Sequence, residues 1–223
     1  MSGLFISKLV QNPEFYFITV VVVIFSICVH EAAHTVTARL CGDSTAWDNG
    51  YMTLNPLKLM GIPSLIMLAI CGIAWGMVPV DPARLRPQWR RGLVAFAGPA
   101  ANLLLAIGFS GVLVLYSVLA RVLPQGTFNT DFSHYVMMLL FTGILMNVVL
   151  TLFNLLPVPP LDGWDVFATI FPPLQKVNAE LRNAAVVVIF FLMLSPIGFG
   201  FLYAPAYWVL KHVCALAGLG TGG

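Results

Sequence analysis

The chain has 223 residues, 59% of them hydrophobic and 9% charged, and its mean hydropathy is +0.91. A soluble domain carries about 25% charged residues, so the composition excludes one. A formal net charge of +2 with no dense Lys/Arg run leaves no footprint for nucleic acid.

Lipid offers backbone N–H and C=O groups no partners, so the apolar stretches are predicted to be helices of an all-α integral membrane protein. Residues 1–14 are a short amphipathic lead. Phe15 to about Leu40 is the first span, and Cys41-Gly42-Asp43 ends it with Gly42 at a C-cap. No small-residue cleavage site follows the first apolar run before His30, so the run is expected to persist as a transmembrane helix. Residues 44–58 carry Thr45, Trp47, Tyr51, Thr53 and Leu54 around Asp48-Asn49-Gly50, which predicts a small β element turning at Asn-Gly. Residues 62–80 are apolar but broken by Pro63, Gly72, Gly76 and Pro79, with another short strand expected over Met77 to Val80. A loop over 81–91 holds Arg84, Arg86, Arg90 and Arg91. Leu93 to Ala120 is a clear span, and 121–133 a polar connector. Residues 134–157 form the next span, followed by a loop with Lys176 and Arg182. The last apolar run is 184–210, kinked near Ser195-Pro196, before a glycine-rich tail. The expected architecture is about four full transmembrane helices, a broken re-entrant apolar segment and a small β element after the first span. The whole of 1–223 reads as a single polytopic domain with a C-terminal helix over about 184–210. Cys28, Cys41, Cys71 and Cys214 are scattered with no C-x-x-C pair and read as buried small hydrophobes.

The densest chemistry is His30-Glu31-Ala32-Ala33-His34, near the end of the first span. The chain holds only four His and nine acidic residues, yet three of them fall within these five positions. Ionisable groups at membrane depth are costly and point to function. On a helix, residues i and i+4 share a face, so His30 and His34 can bind one Zn²⁺ together. Glu31 is then placed to take a proton from water as a general base. The plainer alternative is a pair of core histidines satisfied by backbone carbonyls, with Glu31 as their ion pair.

Catalytic zinc usually takes three protein ligands. The best remaining candidate is Asp162, which follows Pro157, Pro159 and Pro160 and precedes Gly163. Prolines deny the backbone its helical hydrogen bonds, and irregular backbone at membrane depth suits a wet cavity. Asp162 as the N-cap of a following helix is the competing reading. Asp165 is a poorer ligand candidate. His134 and His212 sit at span edges and read as interfacial residues.

Three motifs stand in order: His30-Glu31-Ala32-Ala33-His34, Gly98-Pro99-Ala100-Ala101-Asn102, and Phe153-Asn154-Leu155-Leu156-Pro157-Val158-Pro159-Pro160-Leu161-Asp162-Gly163. Together with Leu54-Asn55-Pro56-Leu57 and Pro79-Val80-Asp81-Pro82 they resemble the site-2 protease family of intramembrane zinc metalloproteases, of the compact prokaryotic type. The resemblance covers roughly residues 25–170 and implies a catalytic core over about 15–170. It implies that His30, His34 and Asp162 bind one Zn²⁺ per chain, that Glu31 activates water, and that Asn154 helps hold the substrate or the developing oxyanion. With no inserted peptide-binding domain and no appended soluble domain in the sequence, any regulator is expected to be a separate membrane protein.

Charge tests the topology. If 62–80 crosses fully, Lys8, Arg84, Arg86, Arg90, Arg91, Lys176 and Arg182 share one face against Arg39, Lys58, Arg121 and Lys211; if it dips in and returns, Arg39, Lys58, Arg84, Arg86, Arg90, Arg91, Lys176 and Arg182 share one face against Lys8, Arg121 and Lys211, and the second split is the more one-sided. The positive-inside rule then places the active site of this multi-pass cell-membrane protein toward the cytoplasm. The expected function is intramembrane endoproteolysis of a single-span membrane protein, with an edge strand from 44–54 pairing with the unwound substrate. A membrane metal-ion carrier and a catalytically silent scaffold are the alternatives. A carrier should show repeated halves, and this chain has one copy of each motif.

Overall fold

The first apolar run folds into one unbroken helix, α2 (Pro13–Leu40), behind a short α1 (Ser7–Gln11). Asn12 starts α2: its side chain accepts the N–H of Phe15 at 3.0 Å, and Pro13 sits in the first turn, where a missing N–H costs nothing. At about 1.5 Å per residue, α2 is roughly 42 Å long and exceeds a hydrocarbon core of about 30 Å. The computed structural model describes residues 4–124, 127–193 and 195–220. The first three residues of the lead, residues 125–126 of the polar connector, residue 194 of the last apolar run and the last three of the glycine-rich tail lie outside the described residues.

Two further helices are long and apolar enough to cross a membrane, α6 (Trp89–Val122) and α7 (Thr130–Asn154). Among the described residues there are three such helices, so the expected four full spans are not found. The reason lies in the last apolar run. It is divided into α9 (Ala179–Met193), which is too short, and α10 (Pro196–Leu216), whose prolines, tyrosines, Lys211 and His212 dilute its hydropathy. Ser195 caps α10 by accepting from the Gly198 N–H at 3.3 Å, so Pro196 begins a new helix rather than bending an old one.

The predicted β element is also absent: no strand occurs among the described residues. Residues 44–58 instead form two short helical turns, α3 (Thr45–Asp48) and α4 (Pro56–Leu59). Asp43 accepts the N–H of Thr45 at 3.0 Å and its hydroxyl at 2.5 Å, and Asn55 accepts from the N–H of Leu57 at 3.0 Å. These local side-chain bonds select helical turns over the β preference of Trp47 and Tyr51. Gly50, with φ of 72°, closes a helical turn instead of joining two strands. No edge strand is available at 44–54 for a substrate to extend.

The re-entrant segment has a definite course. α5 (Gly61–Cys71) is 11 residues, or about 16 Å, and cannot cross alone. Gly72 turns the chain in the left-handed region (φ 74°), and the chain returns without regular structure over 73–80. The return lies against the descent: Ser64 Oγ bonds both the carbonyl (2.7 Å) and the N–H (2.9 Å) of Trp75, and the Met77 N–H donates to Leu59 O at 2.9 Å. The two ends of the segment are therefore neighbours. Asp43 fixes the far end by accepting the Asp81 N–H at 2.7 Å. Burial pushes the Asp43 carboxyl up, but the bonds from Thr45 and Asp81 outweigh it and hold the group below the usual carboxylate range.

α2 and α7 run in the same direction and α6 runs against them. Glu14 meets His134 and Tyr135 at the starts of α2 and α7, whereas Arg90, at the start of α6, reaches Cys41 O at the end of α2. Val23, Ile27 and Cys28 of α2 pack on Leu59, Met60 and Leu68. Leu113, Leu140, Ile144 and Ala217 join α6, α7 and the end of α10. Between α7 and α9, α8 (Asp162–Ile170) follows the proline run and packs on α6.

Candidate metal centre

His30 and His34 stand one turn apart on α2, and their Nε2 atoms lie 3.0 Å from each other. Asp162 closes a triangle with them. Its Oδ2 is 3.1 Å from His30 Nε2 and its Oδ1 3.3 Å from His34 Nε2. The proline run ends α7 and returns the chain so that α8 begins at Asp162. Leu161 holds the N-cap position and no side chain caps the helix. The carboxylate of Asp162 thus faces the two imidazoles and not its own helix. Asp165, one turn on, is bound at 2.7 Å to Arg91 and stays apart. His134 pairs with Glu14, and His212 donates to Trp208 O, both away from this cluster.

The donor set fits a cation. His34 Nδ1 is 2.8 Å from Val94 O, a group that only accepts, so Nδ1 carries a proton and the neutral ring presents its lone pair at Nε2. His30 Nδ1 likewise faces Asn102 Oδ1 at 2.6 Å. Two lone pairs and a carboxylate then converge on one point, and Asp162 Oδ2 is buried with no hydrogen bond of its own. Zinc held tetrahedrally at about 2.0–2.1 Å separates its ligand atoms by roughly 3.3 Å. The observed spacings of 3.0 to 3.3 Å are close to that. These are also the only three His, Cys, Asp or Glu residues among those described whose ligand atoms gather within 4.8 Å.

Glu31 lies beside the pair, 6% exposed, against the return stretch. A Cβ on Gly76 would sit 2.5 Å from Glu31 Cγ, so glycine there lets the backbone reach the carboxylate. Asn154, at the end of α7, donates from Nδ2 to Leu150 O at 3.0 Å. All five residues line one cavity of about 480 Å³, walled on one side by residues 74–78. Irregular backbone at this depth is tolerated because it lines that cavity.

Sequence reasoning assigned no role to Asn102 or Asn147, which the structure places beside His30, both fully buried. Asn147 is an amide inside an apolar run, which is a signal in itself.

The sequence model of peptidase family M50 matches residues 18–196. The chain belongs to peptidase family M50. This M50 peptidase is accordingly an intramembrane zinc metalloprotease of the site-2 protease family, a membrane protein that acts on protein substrates in a membrane context. Three similar proteins each carry the name "Putative zinc metalloprotease". YwhC of Bacillus subtilis is 34% identical over 185 residues, spanning 80% of this chain and 81% of its own. Rip2 of Mycolicibacterium smegmatis is 30% identical over 196 residues (83% and 70%). One from Methanocaldococcus jannaschii is 28% identical over 173 residues (74% and 79%). No solved structure matches the M50 peptidase at a significant level.

Proposed function

We propose that His30, His34 and Asp162 hold one Zn²⁺ per chain and that Glu31 is the general base of an endopeptidase cutting within or near a transmembrane segment. The convergence of two Nε2 lone pairs and a buried carboxylate on one point carries this reading. When bound, zinc supplies the Lewis acidity that polarises the scissile carbonyl and acidifies water. Glu31 takes the proton of the attacking water and delivers it to the leaving nitrogen. Asn154 has a second amide N–H beyond the one given to Leu150 O, and this donates to the substrate carbonyl as negative charge develops on its oxygen. Placement of the cavity among α2, α6 and α7 keeps bulk water limited. A transmembrane helix shields its own peptide bonds, so the substrate, a single-span membrane protein, unwinds locally to enter.

Asp162→Asn should separate ligand from helix cap. A neutral amide is a far poorer zinc ligand than a carboxylate. Zinc content by elemental analysis, and affinity by chelator competition, are expected to fall together with cleavage of a model transmembrane substrate. An Asp162→Asn variant that held zinc as firmly as wild type would move the search for the third ligand to Asp165.

The same reading places the site toward the cytoplasm in the cell membrane, supported by the charge distribution. Arg39, Arg84, Arg90 and Arg91 gather at the His34 end, and Arg121 bonds Ala217 O at the other. In a background without the native cysteines, Ser44→Cys and Arg86→Cys should both label from the cytoplasmic face. Labelling from opposite faces would show that residues 62–80 cross the bilayer.

A further inference from the structure

Two buried amides stand behind His30, and their orientations can be deduced. Asn147 Nδ2 lies 2.9 Å from Gly143 O, a carbonyl that only accepts. The amide nitrogen of Asn147 must therefore point there, which leaves its Oδ1 facing Asn102 at 3.1 Å. That oxygen accepts a hydrogen bond from Asn102 Nδ2–H, which also leans toward Ser26 O at 3.5 Å. Asn102 Oδ1 is thereby turned to His30, 2.6 Å from Nδ1, and Nδ1 must carry the proton. Each link is forced by the one before it, starting from a backbone carbonyl of α7.

We infer that Asn147 is a positioning residue: acting through Asn102, it decides which nitrogen of His30 carries the proton and so keeps Nε2 bare for the metal. This rests on the metal reading of His30, His34 and Asp162. Both amides are fully buried in apolar helices. Buried polar groups are costly unless bonded, and an apolar side chain of similar volume would fill the place of Asn147. Without Asn147, only the long contact to Ser26 O opposes a flip of Asn102. A flipped Asn102 presents its NH₂ to His30 Nδ1. The ring must then accept at Nδ1, move its proton to Nε2 and lose its ligand lone pair. His34 needs no such relay, because Val94 O alone fixes its tautomer. The two ligand histidines thus differ: one is set by backbone, the other by a side chain on the third span.

The test uses the full chain in detergent, labelled with ¹⁵N-histidine, in wild type, Asn147→Leu and Asn147→Asp. His30 is assigned by loss of its signals in His30→Ala. In metal-free wild type, His30 and His34 should each show a protonated Nδ1. In Asn147→Leu, His30 should lose its fixed Nδ1 proton while His34 keeps its own, whatever the Asp162 carboxylate holds at Nε2, a contrast that general damage to the fold would not give. Zinc affinity by chelator competition should fall about 10–100-fold, the usual cost of losing support behind a metal ligand. Asn147→Asp, taken up as the neutral acid because a lone charge is costly in this apolar setting, donates its O–H to Gly143 O, still accepts from Asn102, and should keep both the tautomer and near-wild-type affinity. If the Leu variant does not fold, Asn147→Ala removes the amide without bulk and carries the same expectation. An unchanged His30 tautomer and unchanged zinc affinity in either apolar variant overturn the inference. Wild-type protein that binds no zinc overturns the metal reading instead, and the metal-free spectra still decide the relay.

Discussion

Glu31→Gln is expected to lower turnover by at least about 10²-fold while leaving zinc content unchanged. The amide matches the carboxylate in shape, and the space beside Gly76 accepts it without displacing backbone. His30, His34 and Asp162 keep their mutual spacings of 3.0 to 3.3 Å, so the ligand set is intact. What is lost is the group that accepts the proton. General-base catalysis is typically worth 10²–10⁴-fold, or about 3 to 5 kcal/mol of barrier. The variant should therefore be loaded with zinc yet slow by at least that factor. Elemental analysis and cleavage of a model transmembrane substrate, run on the same detergent preparation, check both halves. Near-wild-type cleavage by the Gln variant would remove Glu31 from the mechanism.

Gly98→Ala should abolish both zinc binding and cleavage. A Cβ at position 98 would lie 2.5 Å from His34 Nε2 and nearer still to His30 Nε2, in the space where the ligand atoms meet. Neither ring can move aside without giving up the bond that orients it. Each is held from behind, His34 by Val94 O at 2.8 Å and His30 by Asn102 at 2.6 Å, and both are rooted one turn apart on α2. The methyl group must displace an imidazole or push α6 away from α2. Gly108, ten residues on in the same helix, has nothing within 4 Å of its built Cβ. Gly108→Ala should fold and bind zinc normally and gain up to about 1 kcal/mol from helix propensity. Zinc content of the two variants, purified in parallel, separates a contact effect from a general effect of alanine in α6. Full zinc occupancy in Gly98→Ala would mean that the ligand atoms do not meet there.

Much of the centre was readable because its signals are local. His30, Glu31 and His34 sit within five residues on a helix whose period brings them to one face. Asp162 stood out because three prolines precede it. The turns of α3 and α4 were misread because Trp47, Tyr51 and the Asn-Gly pair suggest strands. Asp43 and Asn55, by contrast, bond the backbone ahead of them and close helical turns. Composition flagged 184–210 as one apolar run, but Ser195 and Pro196 together make a helix start, which divides it. The relay from Gly143 O through Asn147 and Asn102 joins α7, α6 and α2 across long sequence separations. No spacing rule could have revealed it, although an asparagine within an apolar span is a reason to look for a partner.

The order of these residues along the chain has a consequence for how the protein is made. His30, Glu31 and His34 are synthesised first, with the return stretch that walls them. Val94 and Asn102 follow, then Asn147, and Asp162 comes only after α7 is complete. A nascent chain inserted as far as α6 holds two histidines and a base but neither the carboxylate nor the amide relay. On the proposed ligand set, proteolytic competence therefore arrives only once the third long helix and the proline turn have left the ribosome.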